Sequence, residues 1–166
     1  MSENQLFAFE DDFVATLRCI PMAVRLKLDR SGVKLSLRQW SRFTREDRQG
    51  LLETPCATAL EVDAYRGRLV ELVVLRANET AKPLPEPPHA LWEMGEDAPP
   101  VVTAFAVSVG VPPPTTSEWR RLTQLQRFAL IKLTRDNHDN VNFVPAMREF
   151  GLAPGAEAAP RLAHSG

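Results

Sequence analysis

The segment at residues 40–48, with the sequence WSRFTREDR, recurs at residues 119–127 as WRRLTQLQR. Four matched pairs share one separation of 79 positions: Trp40 and Trp119, Phe43 and Leu122, Thr44 and Thr123, Arg48 and Arg127. A glycine precedes each copy, at Gly32 and Gly110, with one additional residue before the tryptophan in the second copy. Because self-similarity at a fixed spacing indicates repeated structural units, the sequence predicts two related halves.

Helix-start signals accompany both copies. In a capping box, a Ser or Thr and a Glu, Gln or Asp three residues later bond the unpaired backbone N–H groups of a helix start. The pattern occurs as Ser36 with Gln39, Thr44 with Asp47, Thr58 with Glu61, Thr115 with Glu118 and Thr123 with Gln126. We therefore predict short helices at Trp40 and Trp119, helices over residues 45–53 and 124–133, and a long amphipathic helix over residues 59–76.

Prolines and glycines predict the remaining helices. A helix over residues 21–30 ends before Gly32, one over 101–109 ends before Gly110, and one over 143–150 ends before Gly151. The valine-rich segment 101–109 also suits a strand, but its place in the repeat favours a helix. The predicted fold class is all-α, a single compact helical domain built from two related helical halves.

Proline content marks the connection between the halves. Six prolines between residues 80 and 100 exclude regular helix or central strand there, so we predict a semi-rigid connector with Leu91 and Trp92 packed against the body. The predicted domain covers residues 1–152, with half one at 13–79, the connector at 80–100 and half two at 101–152. The side chains of residues 153–166 are too small and polar to bury enough apolar surface for an ordered structure, which predicts a flexible tail.

Composition excludes several function classes. The 20 basic and 21 acidic residues give a net charge of -1, which offers no electrostatic basis for nucleic-acid binding, including by a helix-turn-helix. No leader sequence or apolar run of membrane-spanning length occurs, so we predict a cytoplasmic protein without membrane contact. Cys19 and Cys56 are predicted to be reduced thiols, and no ligand spacing joins them to His89 or His138. The eight glycines lack phosphate-binding spacings, and we predict no metal or cofactor.

Basic residues are concentrated in the first half. Between residues 18 and 48, nine basic side chains accompany three acidic ones. Such an excess is either a solvated helix surface or a docking face for an acidic protein or a phosphate-bearing cofactor. We predict a partner-binding face formed by Arg18, Arg25, Lys27, Arg30, Lys34, Arg38 and Arg42.

A second candidate site is a polar cleft formed by Arg48, Arg127, His138 and Asn140. Arg48 and Arg127 occupy equivalent places in capped helices, where each either bonds a carboxylate or backbone carbonyl groups, or grips an anionic ligand. His138 lies in a dense polar turn, but no nucleophile motif accompanies it. We therefore predict no catalytic residues and a protein that is not an enzyme.

Several motifs carry a resemblance to a known family. They begin with Leu17-Arg18-Cys19-Ile20-Pro21-Met22, Val24-Arg25-Leu26-Lys27-Leu28-Asp29 and Gly32-Val33-Lys34-Leu35, and continue with Trp40, Arg48, the Tyr65 helix, Trp119 and Gln126-Arg127-Phe128-Ala129-Leu130-Ile131-Lys132-Leu133. Further matches are Arg135, His138, Asn140, Phe143, Pro145-Ala146 and Glu149-Phe150. Over residues 7–152 the chain resembles the nitrate reductase associated protein family of cyanobacteria and other bacteria.

This resemblance implies an accessory protein of nitrate assimilation. Such a protein would support the activity or maturation of assimilatory nitrate reductase, a molybdenum cofactor enzyme, by direct contact and without a redox centre of its own. No catalytic residues are carried over from the family. The alternative is a small-molecule binding protein that holds molybdenum cofactor or another phosphate-bearing ligand between the two halves.

Overall fold

The computed structural model describes residues 4–10, 16–85, 92–93, 96–135 and 138–152, without the side chains of residues 138 and 139. The chain divides into two compact units, one comprising Met1–Leu6 and Glu10–His89, the other Phe7–Phe9 and Ala90–Gly166. The tail predicted over residues 153–166 and the predicted packing of Leu91 lie outside the described residues. The single domain over residues 1–152 stays a prediction.

Four α-helices and a π-helical segment form most of the first unit. They are α1 (Met22–Ser31), α2 (Leu37–Arg42), α3 (Arg45–Glu53) and α4 (Ala59–Leu72), which continues as a π-helix over Val73–Ala77. Helix α1 starts after Pro21 and ends at Gly32, whose φ of 70° places it in the left-handed region that glycine tolerates. The predicted helices of this half are confirmed within about two residues, the π-helical end excepted.

A two-residue ladder completes the first unit. Strand β1 (Val33–Lys34) pairs antiparallel with β2 (Lys82–Pro83), with Lys34 opposite Lys82. The sequence pattern does not predict this ladder, since its two strands are separated by three helices and contain no alternation. Pro83 occupies the edge of the ladder, where its missing N–H removes no central hydrogen bond.

The second unit contains α5 (Pro100–Ser108), α6 (Thr116–Arg121), α7 (Gln124–Lys132) and α8 (Phe143–Glu149). Helix α7 buries most of its side chains, as its apolar sequence predicts, and packs against both α5 and α8. Short 3₁₀ helices occur at Ala8–Glu10 and His138–Asn142. The valine-rich segment is a helix, which confirms that prediction over the strand alternative.

The five predicted capping boxes are all present with both of their hydrogen bonds. Trp40 and Trp119 are fully buried, and Trp92 is 4% exposed, so its predicted packing against the body is confirmed. With eight α-helices and one two-stranded ladder in the described part of the chain, the all-α class is confirmed. The origin of the halves by duplication stays a prediction.

No helix formed by the described residues has the length and apolar character needed to cross a bilayer.

Candidate functional site

Arg127 is a buried cation held by backbone carbonyl groups of its own unit. Its Nε donates to the Trp119 oxygen at 3.2 Å, its Nη1 to the Trp92 oxygen at 2.8 Å, and its Nη2 to the oxygens of Leu122 at 2.8 Å and Arg120 at 3.4 Å. No carboxylate from the described residues pairs with it. Burial lowers the pKa of the guanidinium, and the four carbonyl dipoles offset the cost of burying its charge.

Arg48 makes the corresponding bonds in the first unit. Its Nε donates to the Trp40 oxygen at 3.1 Å, its Nη2 to the Ser41 oxygen at 3.0 Å and its Nη1 to the Leu17 oxygen at 3.3 Å. The Leu17 oxygen also accepts from Trp40 Nε1 at 2.9 Å. Leu17 has a φ of 61°, a conformation that costs energy for a residue with a side chain, and the two hydrogen bonds to its carbonyl stabilise it there.

The predicted polar cleft is therefore made of residues with different surroundings. Arg48 belongs to the first unit and Arg127 to the second, and each guanidinium donates its hydrogen bonds to backbone carbonyl oxygens. Asn140 is half-buried in the 3₁₀ helix His138–Asn142 and does not bond Arg127. The side chain of His138 lies outside the described residues. A ligand-binding cleft formed by these four residues stays a prediction.

Lys27 departs from the predicted docking face. Its side chain is 2% exposed, and its Nζ donates to the carbonyl oxygens of Leu52 at 2.6 Å and Thr54 at 2.7 Å. The prediction that Lys27 reaches a partner is wrong, because its position on the buried side of α1 directs the ammonium to the carboxyl end of α3. Cations in such a place also interact favourably with the helix dipole.

The other six residues of the predicted face differ in exposure. Arg25 and Arg30 are half-buried on α1. The exposed members are Arg18, Lys34, Arg38 and Arg42. A partner that contacts the first unit through basic side chains would therefore meet a smaller set than the sequence predicts.

Three exposed cations lie together beside the ladder, and we call Lys34, Arg38 and Lys82 the basic pad. Lys34 and Lys82 are directly opposite each other in the β1–β2 pairing. Arg38 forms an ion pair with Glu79, which also accepts a hydrogen bond from Gln39 Nε2 at 2.9 Å. Hydrogen bonds from Arg38 and Gln39, with the nearby charges of Arg38 and Lys82, lower the pKa of Glu79.

Lys82 is the member of the basic pad that the sequence does not indicate. It lies in the predicted connector, far along the chain from the basic run at residues 18–48, and the pairing of β2 with β1 brings it beside that run. Pairing between strands distant in sequence has no local signature. A proline-rich segment gave no reason to expect any strand there.

Asp47 links α3 to the π-helical segment. Its buried carboxylate accepts from the Thr44 N–H at 2.9 Å and from Arg76 Nε at 2.8 Å, and Arg68 Nη2 lies 3.6 Å away. Burial by itself would raise the pKa of the Asp47 carboxyl, but the hydrogen bonds from Arg76 and Thr44 outweigh it and the pKa is lowered. The carboxylate therefore stabilises the fold in its ionised form.

Lys27, Cys56 and Tyr65 form a buried polar group in the first unit. Lys27 Nζ lies 5.9 Å from the Tyr65 ring centroid, the Tyr65 hydroxyl donates to the Leu51 oxygen at 2.7 Å, and Cys56 Sγ lies 3.8 Å from the Lys27 oxygen. Burial, and to a lesser extent Cys56, raises the pKa of the Tyr65 hydroxyl. The polar atoms of this group are thus directed at backbone carbonyls.

Cys19 and Cys56 are both free thiols. Within the part of the chain that the structure describes, no three His, Cys, Asp or Glu side chains gather as a set of metal ligands.

The family model described as "Conserved nitrate reductase-associated protein" matches residues 6–150 of the chain. This range includes α1 to α8, the ladder and the basic pad. No curated protein and no solved structure matches the chain significantly.

Proposed function

Since the chain belongs to the family of conserved nitrate reductase-associated proteins, we propose that it is a non-enzymatic accessory protein of assimilatory nitrate reductase. In this role it contacts the reductase directly, in the cytoplasm, and supports the activity or maturation of that enzyme. The observation that carries the proposal is the family match, because it covers residues 6–150 and so includes every α-helix of both units.

The bonding of the polar side chains supports a role in contact over one in catalysis. A general base, acid or nucleophile needs a polar atom that can reach a substrate. Three buried or half-buried cations, Arg48, Arg127 and Lys27, instead donate to backbone carbonyl oxygens. Their bonds fix helix ends and connecting segments and direct the three cationic groups away from any substrate.

Co-purification and reconstitution test the proposal. The chain, carrying an affinity tag, is expected to retain assimilatory nitrate reductase from nitrate-grown cells, and the two purified proteins are expected to bind each other. Cells that lack the chain should contain less active reductase, and the wild-type chain should restore it. A mutant with unaltered reductase activity, together with purified proteins that do not bind, would contradict the proposal.

The same preparations distinguish the small-molecule alternative. A protein that binds molybdenum cofactor should show a higher melting temperature when the pterin compound is added, because a ligand that binds the native state stabilises it. If the pterin compound raises the melting temperature and the purified reductase does not bind, the accessory role by direct contact is replaced by a ligand-binding one.

A further inference from the structure

We propose that the basic pad, formed by Lys34, Arg38 and Lys82, is the surface that binds an acidic segment of nitrate reductase. This inference rests on the proposed function and adds the contact surface and the chemistry of the segment that occupies it. Of the seven residues that the sequence predicts for the docking face, the pad keeps Lys34 and Arg38. It adds Lys82, which pairs with Lys34, and it leaves out the buried Lys27.

The pairing of Lys34 with Lys82 is the first observation that indicates an acidic partner. Lys34 and Lys82 are cross-strand neighbours in β1–β2, and directly opposed residues of an antiparallel pair have Cβ atoms about 5 Å apart. Like charges in this arrangement destabilise the pair. Both side chains are exposed, and neither forms a hydrogen bond or ion pair with a described residue. The fold therefore retains a repulsion that an acidic partner would relieve.

Protection of strand edges is the structural explanation that must be weighed. Natural sheets place lysines on exposed edges to prevent pairing with other chains. Strands β1 and β2 have two residues each, and very short strands are themselves protected against such pairing. Two opposed lysines on a ladder of this length are more than edge protection requires.

Local charge and apolar surface indicate the kind of segment that fits. The pad carries three cations against one carboxylate, Glu79, which is already engaged by Arg38 and Gln39. Leu37, next to Arg38, exposes 56% of its surface and offers an apolar contact. A cluster of this size, on a chain with a net charge of -1, suits a short acidic peptide segment and not an extended nucleic-acid backbone.

Replacing one lysine separates docking from stability. The Lys34→Glu variant places a carboxylate opposite Lys82, which converts a repulsive pair into an attractive one and should raise the melting temperature by about 1–3 °C. The same change should weaken binding of the purified reductase roughly threefold to tenfold at low salt. If the two lysines only shaped the ladder, a more stable ladder would not weaken binding.

A double reversal and a matched control complete the experiment. Lys34→Glu/Lys82→Glu should weaken binding at least about tenfold and reduce its salt dependence. The control, Arg120→Glu/Arg121→Glu, changes the net charge equally on two exposed side chains of the second unit and should stay within about twofold of wild type. Affinity is measured by biolayer interferometry with immobilised reductase, and folding by circular dichroism.

The outcomes separate this inference from the proposed function. If the wild-type chain binds the reductase and both pad variants bind it as tightly as wild type, the basic pad is not the contact surface, and the accessory function stands. If the wild-type chain does not bind the reductase, the proposed function fails and the pad inference fails with it. If the double variant does not fold, the Lys34→Glu variant decides, because it is expected to be at least as stable as wild type.

Discussion

The Arg48 and Arg127 sites show one local arrangement in two surroundings. In each, the arginine Nε bonds the carbonyl of the tryptophan eight residues earlier, and Nη1 bonds a carbonyl outside the repeated segment, from Leu17 or Trp92. Arg127 is buried, whereas Arg48 is half-buried. The comparison teaches that the repeated sequence specifies the hydrogen bonds of the arginine but not its burial.

The first helices of the two units differ in a related way. Lys27 of α1 and Phe105 of α5 are 78 positions apart, the same separation as Gly32 and Gly110. Lys27 Nζ lies 5.9 Å from the Tyr65 ring, and the Phe105 ring lies edge-on to Phe143 with centroids 4.9 Å apart. At matched sequence positions, the first unit thus has an ammonium that bonds carbonyls, and the second has a phenyl ring that contacts another ring.

The largest expected effect comes from removing each arginine in turn. Arg127→Met should lower the free energy of unfolding by about 3–5 kcal/mol, because it leaves buried carbonyl groups without donors. Arg48→Met should cost only about 1–2 kcal/mol, since water can reach part of its site. Urea denaturation followed by circular dichroism measures both.

Arg127→Lys is the informative companion variant. Lysine keeps the charge but cannot reach four carbonyl oxygens in the geometry of the guanidinium fork, so most of the loss should persist. Equal losses for Arg48→Met and Arg127→Met would show that burial does not distinguish the two sites, and the comparison would fail.

A smaller effect on the free energy of unfolding is expected where the capping boxes of α3 and α7 differ. The second capping residue is Asp47 in α3 and Gln126 in α7, and only Asp47 bonds an arginine, Arg76. Asp47→Gln, which copies the second unit into the first, should lower the free energy of unfolding by about 1–2 kcal/mol at neutral pH.

The pH dependence of that loss has a defined sign. The pKa of Asp47 is lowered in the native state, so the carboxylate contributes stability above its unfolded pKa of about 3.9, and the contribution is lost as the pH falls through the native pKa. The difference between wild type and Asp47→Gln should therefore be constant near neutrality and shrink below about pH 4. A difference that grows on acidification would show that the ionised carboxylate is not the stabilising form.

The features that sequence predicts best here are those specified within a few residues. The capping boxes, the glycine helix ends and the apolar α7 follow from spacings of three to four positions, and all are observed. The ladder, the burial of Lys27 and the membership of Lys82 in the basic pad depend on which distant segments meet. No local pattern specifies contacts between distant segments, since a lysine on a helix has the same sequence signature whether its ammonium contacts water or a carbonyl oxygen.

The smallest effect concerns the interior of α3 and α7, the helices that contain the repeated segments. Gly50 of α3 lies at the position that Ala129 occupies 79 residues later in α7. A Cβ added at Gly50 would meet nothing within 4 Å, so Gly50→Ala should fit without strain. It should raise the free energy of unfolding by about 0.5–1 kcal/mol, because alanine loses less backbone entropy than glycine on entering a helix.

Gly32→Ala is the matched control for that substitution. The space around its Cβ is equally open, but its φ of 70° lies in the left-handed region, so the variant should lose about 1 kcal/mol. Thermal unfolding of both variants tests whether backbone conformation alone decides the sign. If Gly50→Ala were destabilising while Gly32→Ala was neutral, the correspondence of α3 with α7 would hold in sequence but not in the environment of the helix interior.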